Sequence, residues 1–215
     1  MTPDGSLEVG ARRILGRSLT DTEASRTRKY LKILEKWQRK RRLVGSTEHE
    51  WMVIHLVLDS WAYLRILPSY VRQASDDKGK IEILDFGSGA GIPGVPLAIV
   101  LSEANFTLLE GRERRVSFLS EVVRELGLRN CTVFHGRAES AADLYERYDA
   151  VVMRCAGEPA DVVPQALRFT RPYAPVILSG PPKPKPTPLG EWVEVEVPLG
   201  EAERRNFLVA KRGAT

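Results

Sequence analysis

A glycine-rich run with an acid at its start is the segment of this sequence whose residue types most clearly indicate chemistry. The run reads Asp85-Phe-Gly-Ser-Gly-Ala-Gly-Ile-Pro-Gly94 and begins at the end of a short apolar segment, 81–86. Glycines at alternate positions let the backbone turn tightly and approach a ligand closely. A second acid, Glu110, ends the next apolar segment, where its carboxylate can accept hydrogen bonds from both hydroxyls of a ribose. Together these features predict a nucleoside cofactor.

The glycine spacing and the position of Asp85 distinguish between nucleoside cofactors. The order is Gly-x-Gly-x-Gly, whereas dinucleotide sites use Gly-x-Gly-x-x-Gly. A carboxylate at Asp85 can meet the ammonium of a methionine moiety, but it would not help to bind a pyrophosphate. The sequence also lacks the Gly-x-x-x-x-Gly-Lys-Ser/Thr loop that binds ATP. We therefore predict S-adenosylmethionine rather than NAD, bound by Asp85, Gly87, Ser88, Gly89, Gly91 and Glu110.

These residues require a framework that brings the glycine run and Glu110 together. Apolar segments alternate with helical segments after residue 80, which predicts a parallel sheet with helices on both faces. The expected strands are 81–86, 106–109, 131–134, 148–153 and 174–178, and the expected helices are 93–100, 114–126, 138–145 and 159–169. No helix separates 192–197 from 206–210, so these segments should form an antiparallel hairpin. Residues 181–188 hold five prolines and should form a stiff loop. We expect an α/β, Rossmann-like sheet of about seven strands over 80–215.

Residues 1–73 differ in character and are expected to form a basic, RNA-facing helical extension. A helix is predicted over 20–42, capped by Thr20 or Asp21, with an apolar stripe of Tyr30, Ile33, Leu34 and Trp37. Nine basic residues and one acid lie between positions 26 and 42. We predict that this helix binds RNA phosphates, through Lys32, Lys36, Arg39 and Lys40. The alternative is a solvated helix face. A second helical region is expected over 48–71.

The composition excludes several classes of protein. Hydrophobic residues make up 43% of the 215 residues, which is enough for a core and excludes a disordered chain. No uninterrupted apolar run reaches the roughly 18 residues of a membrane span, and no secretory signal is recognised. Two cysteines, Cys131 and Cys155, cannot make a disulfide framework or a zinc cluster. We expect a cytoplasmic protein without a metal and favour a monomer.

The glycine run and several other segments resemble the RsmG (GidB) family, whose bacterial members methylate guanine N7 in 16S ribosomal RNA. The resemblance rests on residues 85–97, on the His-x-x-x-Asp-Ser of His55, Asp59 and Ser60, and on segments 106–110, 114–119, 136–139 and 149–156. It implies the class I methyltransferase fold and a 16S rRNA or 30S subunit substrate. It also implies cofactor contacts at Gly87, Ile92, Ala138, Glu139 and Arg154.

The predicted reaction needs little chemistry from the protein, because guanine N7 has a free lone pair and no proton. The enzyme has to align nucleophile, methyl carbon and sulfur and to exclude water. Arg154 is expected at the end of the fourth strand, where it donates to guanine O6 or a phosphate, or pairs with a structural carboxylate. His55 and Asp59 are four residues apart on a helix and can therefore meet. These three are the candidate catalytic residues.

The sequence departs from the family pattern where a substrate is expected. The family's Trp-Asn-x-x-x-Asn-Leu-Thr is replaced by a segment that begins Trp37-Gln38, and Met153 replaces a serine. Ser179 stands where the family has a lysine. Two alternatives therefore remain open. The chain could methylate a small molecule or a protein with the same fold, or it could bind RNA without turnover.

Overall fold

The computed structural model describes residues 3–39, 43–68, 79–154, 157–197 and 203–212. Its centre is a seven-stranded sheet of order β3-β2-β1-β4-β5-β7-β6. The strands are β1 (Ile81–Phe86), β2 (Ala104–Glu110), β3 (Cys131–His135), β4 (Ala150–Met153), β5 (Pro175–Ser179), β6 (Glu191–Val197) and β7 (Glu203–Lys211). The first five are parallel, and β7 runs antiparallel to both β5 and β6. The predicted sheet and its late hairpin are confirmed.

Helices cover both faces of this sheet. They are α1 (Pro3–Leu15), α2 (Asp21–Gln38), α4 (Gly94–Val100), α5 (Glu113–Leu126) and α6 (Pro159–Leu167). A further helical segment, α3, runs in succession through His49–Met52 (α), Val53–Leu58 (π), Asp59–Trp61 (α) and Ala62–Arg65 (3-10). The second predicted helical region is thus present, although its geometry changes along its length and residues 69–71 lie outside the described chain.

Two helix predictions differ from the structure. The helix expected over 138–145 is wrong, since the chain forms two 3-10 turns, Ala138–Ser140 and Ala142–Leu144. The Ser140 hydroxyl accepts from the Arg137 N–H at 3.1 Å and donates to the Arg137 carbonyl at 3.0 Å. Such local bonds compete with a regular helix. Helix α1 was not predicted, because Gly5 and Gly10 weaken the helical signal of its sequence.

Gly10 has a packing role in α1. A Cβ atom at this position would lie 2.5 Å from the Leu58 side chain, so only glycine lets α1 approach α3 this closely. The apolar side chains of α1, among them Leu7, Ala11 and Ile14, are buried in the core.

The first half of α2 follows the sequence prediction closely. Thr20 and Glu23 form a capping box, in which the Glu23 N–H donates to Thr20 Oγ1 at 3.2 Å and the Thr20 N–H donates to Glu23 Oε2 at 2.8 Å. Arg17 makes two further bonds to the same carboxylate, and its hydrogen bonds are the main reason why the pKa of Glu23 is lowered. The start of the basic helix is therefore well fixed.

One hydrophobic core joins the helical extension to the sheet. Buried side chains of α2 and α3 belong to the same cluster as those of β2 and α5; examples are Tyr30, Leu34, Trp61, Phe106 and Phe118. A second cluster on the opposite face contains Phe86, Phe169 and Leu208. Of the predicted stripe, Tyr30, Ile33 and Leu34 are buried, and Trp37 is half-buried against the same core. Among the described helices, none has the length and apolarity needed to cross a membrane.

Candidate active site

The glycine run forms a loop between β1 and α4 whose backbone only glycine adopts readily. Gly87, Gly89 and Gly91 have φ angles of 72°, 58° and 83°, in the left-handed region. The N–H groups of Gly87 and Ser88 donate to the Leu109 carbonyl at 2.9 and 3.0 Å. These bonds tie the loop to the end of β2, where Glu110 is located.

Glu110 holds its carboxylate directly under the loop. Oε2 accepts from the Gly89 N–H at 2.9 Å, Oε1 accepts from the Arg112 N–H at 2.8 Å, and Arg115 Nη1 lies 3.7 Å from Oε2. The residue is only 5% exposed. A carboxylate has about four acceptor positions, so both oxygens can accept further donors. The geometry fits the predicted role of Glu110 toward a ribose.

Asp85 is fully buried at the end of β1, beneath the loop. Its Oδ2 accepts from the Gly94 N–H at 3.0 Å, while Oδ1 has no hydrogen-bond partner among the described residues. A Cβ atom at Gly94 would lie 2.6 Å from Oδ2, which explains the glycine there. Burial raises the pKa of Asp85 to about 7. An unpaired buried acceptor fits a cationic donor such as an ammonium group, and that contact stays a prediction.

A cavity of about 230 Å³, here called the loop cavity, opens above the glycine run. Its lining comes from the glycine loop, from β4 and α5, and from the extension: Leu43, Val44, Gly45, Trp51, Leu56, Gly87, Ser88, Gly89, Ala90, Ile92, Arg115 and Arg154. The contribution of residues 43–51 was missed by sequence reasoning. Gln38 fixes this segment by accepting from the N–H groups of Leu43 and Val44 and by donating to the Val44 carbonyl at 2.7 Å.

A second cavity, here called the large cavity, has a volume of about 640 Å³. Its lining comes from α3, the segment after β4, the start of α6, β5 and the loop that follows it, β6 and β7: His55, Asp59, Arg154, Gly157, Pro159, Leu178, Ser179, Gly180, Pro181, Pro182, Trp192, Arg204, Arg205 and Asn206. Arg154 lines both cavities. The hydroxyl of Tyr63 donates to the Met153 carbonyl at 2.7 Å and so holds the end of β4 beside it. The two cavities thus meet at one arginine, at the carboxyl ends of the parallel strands.

Asp59 organises the residues around Arg154. Its Oδ1 accepts from Arg205 Nε at 2.8 Å, and its Oδ2 lies 3.5 Å from Arg154 Nη2 and 3.7 Å from His55 Nδ1. Arg154 Nη1 also donates to the His55 carbonyl. The structure therefore brings together all three candidate catalytic residues. Arg154 therefore combines features of both roles considered for it: it contacts the carboxylate of Asp59, and it lines both cavities.

Arg205 is the main site residue that sequence reasoning missed. The predicted strand began at residue 206, whereas β7 begins at Glu203. Ser179, the last residue of β5, is paired with Phe207, so the first residues of β7 extend past the carboxyl end of β5. The predicted antiparallel hairpin was the signal that could have placed an arginine at this edge.

The remaining predicted cofactor residues are distributed around the loop. Ser88 and Ile92 line the loop cavity, and Gly91 shapes the turn: a Cβ atom there would lie 2.7 Å from Val95. Ala138 and Glu139 lie in the 3-10 turn that follows β3, and line neither of the two cavities. Their contact with the cofactor stays a prediction.

The predicted RNA-binding residues lie on α2 in different surroundings. Lys32 is exposed, Lys36 Nζ lies 3.8 Å from Glu121, and Arg39 pairs with Glu35 at 2.8 Å. Lys40 lies outside the described residues. Two neighbouring cations serve the fold instead, because Arg26 and Lys29 donate to backbone carbonyls at the carboxyl end of α5.

Comparison with known proteins identifies the family. Residues 23–179 match the family described as rRNA small subunit methyltransferase G, GidB. The "Ribosomal RNA small subunit methyltransferase G" of Lachnoclostridium phytofermentans is 32% identical over 171 residues, which cover 78% of this chain and 67% of that protein. The protein of the same name from Hahella chejuensis is 30% identical and covers 94% of this chain and 91% of its own length.

Solved structures support the fold. A methyltransferase from Geobacter sulfurreducens superposes with a TM-score of 0.53 at 15% identity, over 86% of this chain and 90% of that one. This likeness confirms the predicted class I fold, and the family match confirms S-adenosylmethionine as the cofactor of this chain. The glycine loop, Glu110 and the sheet order agree with that result. The chain belongs to the rRNA small subunit methyltransferase G family of S-adenosylmethionine-dependent methyltransferases.

Proposed function

We propose that this chain methylates guanine N7 of 16S rRNA in the small ribosomal subunit. The observation that carries the proposal is the pair of cavities that share Arg154, one above the glycine loop and one beside it. Methyl transfer needs this arrangement, because donor and acceptor must meet in line across a short gap. Family membership supports the ribosomal RNA substrate. Such a substrate implies a cytoplasmic location.

The loop cavity is the proposed cofactor site. Glu110 and Asp85 are buried beneath the loop and are not lining residues of this cavity. A cofactor that approaches closely over the backbone of Gly87 and Gly89 would meet Glu110 with its ribose and the unpaired Oδ1 of Asp85 with its ammonium. Trp51 and Ile92 would shield the site from water. When bound, S-adenosylmethionine supplies an electrophilic methyl group on a sulfonium.

The large cavity is the proposed site of the target base. Guanine presents O6 next to the reacting N7, and an arginine can donate to O6 while the lone pair of N7 stays free to attack the methyl carbon. Arg154 and Arg205 both line the cavity, and Trp192 offers an aromatic surface for the base. Because N7 carries no proton, these residues have to bind and orient the base without removing a proton.

Asp59 and His55 are proposed to position the two arginines. Asp59 contacts both guanidinium groups from its two carboxylate oxygens, and the His55 carbonyl accepts from Arg154. His55 itself is held on the π-helical part of α3, with its ring 5.0 Å from that of Trp51. Charged hydrogen bonds of this kind fix a guanidinium more strongly than neutral ones.

A methyl-transfer assay tests the proposal. Purified protein and S-adenosylmethionine with a tritiated methyl group are incubated with 30S subunits, naked 16S rRNA, or a small-molecule extract that lacks both. We expect label in 16S rRNA, released as 7-methylguanosine after nuclease digestion. Label in ribosomal proteins or small molecules would support the alternative methyltransferase. Binding of RNA without label in any fraction would support the non-catalytic alternative.

A further inference from the structure

The segment between β5 and β6, residues 180–190, is here called the lysine–proline loop. Lys183 and Lys185 each precede a proline, which confines their backbones to the extended region. Residues two apart in a polyproline-type chain lie about 6 Å apart. The loop contains no acid. It therefore presents two positive charges at a short and nearly constant spacing.

Hydrogen bonds attach this loop to the strands on either side. Trp192 Nε1 donates to the Lys185 carbonyl at 2.8 Å, and the Asn206 amide donates to the Pro182 carbonyl at 3.1 Å and the Pro181 carbonyl at 3.3 Å. The Gly180 N–H donates back to the Asn206 carbonyl at 2.8 Å. The loop is thus held at its first three residues and at its middle.

The attached loop forms part of the rim of the large cavity. Pro181, Pro182, Trp192 and Asn206 all line that cavity. Lys183 and Lys185 follow directly in the chain and are exposed. Neither lysine forms an ion pair with any residue in the described part of the chain. Two cations without acidic partners therefore stand next to the proposed base site.

The arginines of the same cavity are already engaged. Arg154 and Arg205 contact Asp59, and Arg204 pairs with Glu194 at 2.9 Å. An RNA substrate brings a phosphate on each side of its target nucleotide, and these charges need partners near the cavity rim. We propose that Lys183 and Lys185 bind the backbone phosphates next to the methylated nucleotide. This inference rests on the proposed function.

A proline-rich segment could also bind an aromatic groove of another protein. That mode requires an accessible polyproline backbone. Here three carbonyls of the segment already accept hydrogen bonds from Trp192 and Asn206. The loop is docked on its own domain, and its two lysine side chains are exposed, which favours an anionic ligand.

The salt dependence of RNA binding tests this role without requiring turnover. The probe is a fluorescent single-stranded 20-nucleotide RNA with one guanine, titrated with wild type and with Lys183→Gln/Lys185→Gln at several salt concentrations. Each phosphate contact contributes about 0.7 to the slope of log affinity against log salt. We expect the double variant to lower the magnitude of the slope by about 1.4. With 30S subunits, KM should rise while kcat and cofactor affinity stay unchanged.

A matched control is Lys80→Gln/Arg129→Gln, which removes two exposed charges from the amino-terminal edge of the sheet. An equal loss of slope in this control, or an unchanged slope in the lysine variant, would overturn the proposal. A second variant, Pro184→Ala/Pro186→Ala, keeps both charges and loosens the loop. It should weaken binding severalfold with an unchanged slope. Because binding is measured alone, absence of methyl transfer by the wild type would refute the proposed function and leave this test intact.

Discussion

The hydroxyl of Tyr30 in α2 donates a hydrogen bond to the carbonyl of Ala90 in the glycine loop, with an O–O distance of 2.8 Å. Tyr30 is fully buried, so this bond is made in a region without competing water. The helix that carries the basic residues therefore also holds the glycine loop, where we propose that the cofactor binds. This hydrogen bond joins α2 of the amino-terminal extension to the glycine loop after β1.

Removal of that hydroxyl should weaken cofactor binding. One neutral hydrogen bond contributes about 0.5–1.5 kcal/mol, so Tyr30→Phe should raise the Kd for S-adenosylmethionine about two- to tenfold. Isothermal titration calorimetry provides the measurement. Tyr173→Phe, at a residue that is 72% exposed, is the control and should bind like wild type. An unchanged Kd in Tyr30→Phe would refute the positioning role.

Glu110→Ala should weaken the binding of S-adenosylmethionine at least tenfold. The carboxylate is expected to bind the ribose, and charged hydrogen bonds contribute roughly 1.5–3 kcal/mol each. It also accepts from the Gly89 and Arg112 N–H groups, so its loss should loosen the loop. Glu110→Gln keeps one acceptor oxygen, so its affinity for S-adenosylmethionine should fall less than that of Glu110→Ala. Wild-type affinity in Glu110→Ala, measured by calorimetry, would contradict the assignment.

Asp85 should make the protein less stable as pH rises. Burial raises its pKa to about 7, whereas in the unfolded chain it returns to near 3.8. The folded state therefore binds an extra proton between about pH 4 and pH 7. This stabilisation is complete below that window and is lost as pH rises through it. Urea unfolding of Asp85→Asn should show a smaller fall in the free energy of unfolding from pH 5 to pH 8 than wild type. An equal fall in the free energy of unfolding in wild type and variant would show that Asp85 does not cause the pH dependence.

Asp59→Asn should impair use of the RNA substrate more than binding of the cofactor, because Arg205 lines only the large cavity of the two whereas Arg154 lines both. The loss of the negative charge weakens contacts to both Arg154 and Arg205, so kcat/KM for 30S subunits should fall about tenfold or more. Glu194→Gln removes an exposed carboxylate from the neighbouring Arg204 and should have little effect. An equal loss of kcat/KM in Asp59→Asn and Glu194→Gln would show that Asp59 does not position the arginines.

The basic helix can be tested by replacing Lys32, Lys36, Arg39 and Lys40 with glutamine. Four phosphate contacts would give a slope near −3 in log affinity against log salt, and the fourfold variant should flatten it. Lys36 and Arg39 have acidic neighbours, so Lys32 should account for more of the change than either of them. If the fourfold variant keeps the wild-type slope in a filter-binding assay, these residues form a solvated helix face that does not bind RNA.

Much of the fold could be predicted because hydrophobic patterning and glycine positions act locally. The glycines at 87, 89 and 91 all take the left-handed backbone expected of a tight loop. The Thr20–Glu23 cap was likewise readable from neighbouring residues. The wrong helix at 138–145 shows the limit, since a single serine side chain redirected the backbone there.

The contacts that build the site were harder to predict because they join distant parts of the chain. Arg205 meets Asp59 across 146 positions, and Tyr30 meets Ala90 across 60. Neither pair has a local sequence signal. The Arg205 contact arises because β7 runs antiparallel beside β5 and delivers its first residues to the edge where β4 and β5 end. Such contacts follow from topology rather than from any short motif.

The shared core of the extension and the sheet has a consequence for how this molecule can change during evolution. The apolar face of α2 is constrained by Phe118 and the glycine loop, whereas Lys32 and Lys36 on its other side are exposed. Substitutions at such exposed positions can therefore alter the charge of the helix at small cost to folding. One helix thus combines a buried face that the fold constrains with a surface whose charge can change during evolution while the glycine loop keeps its support.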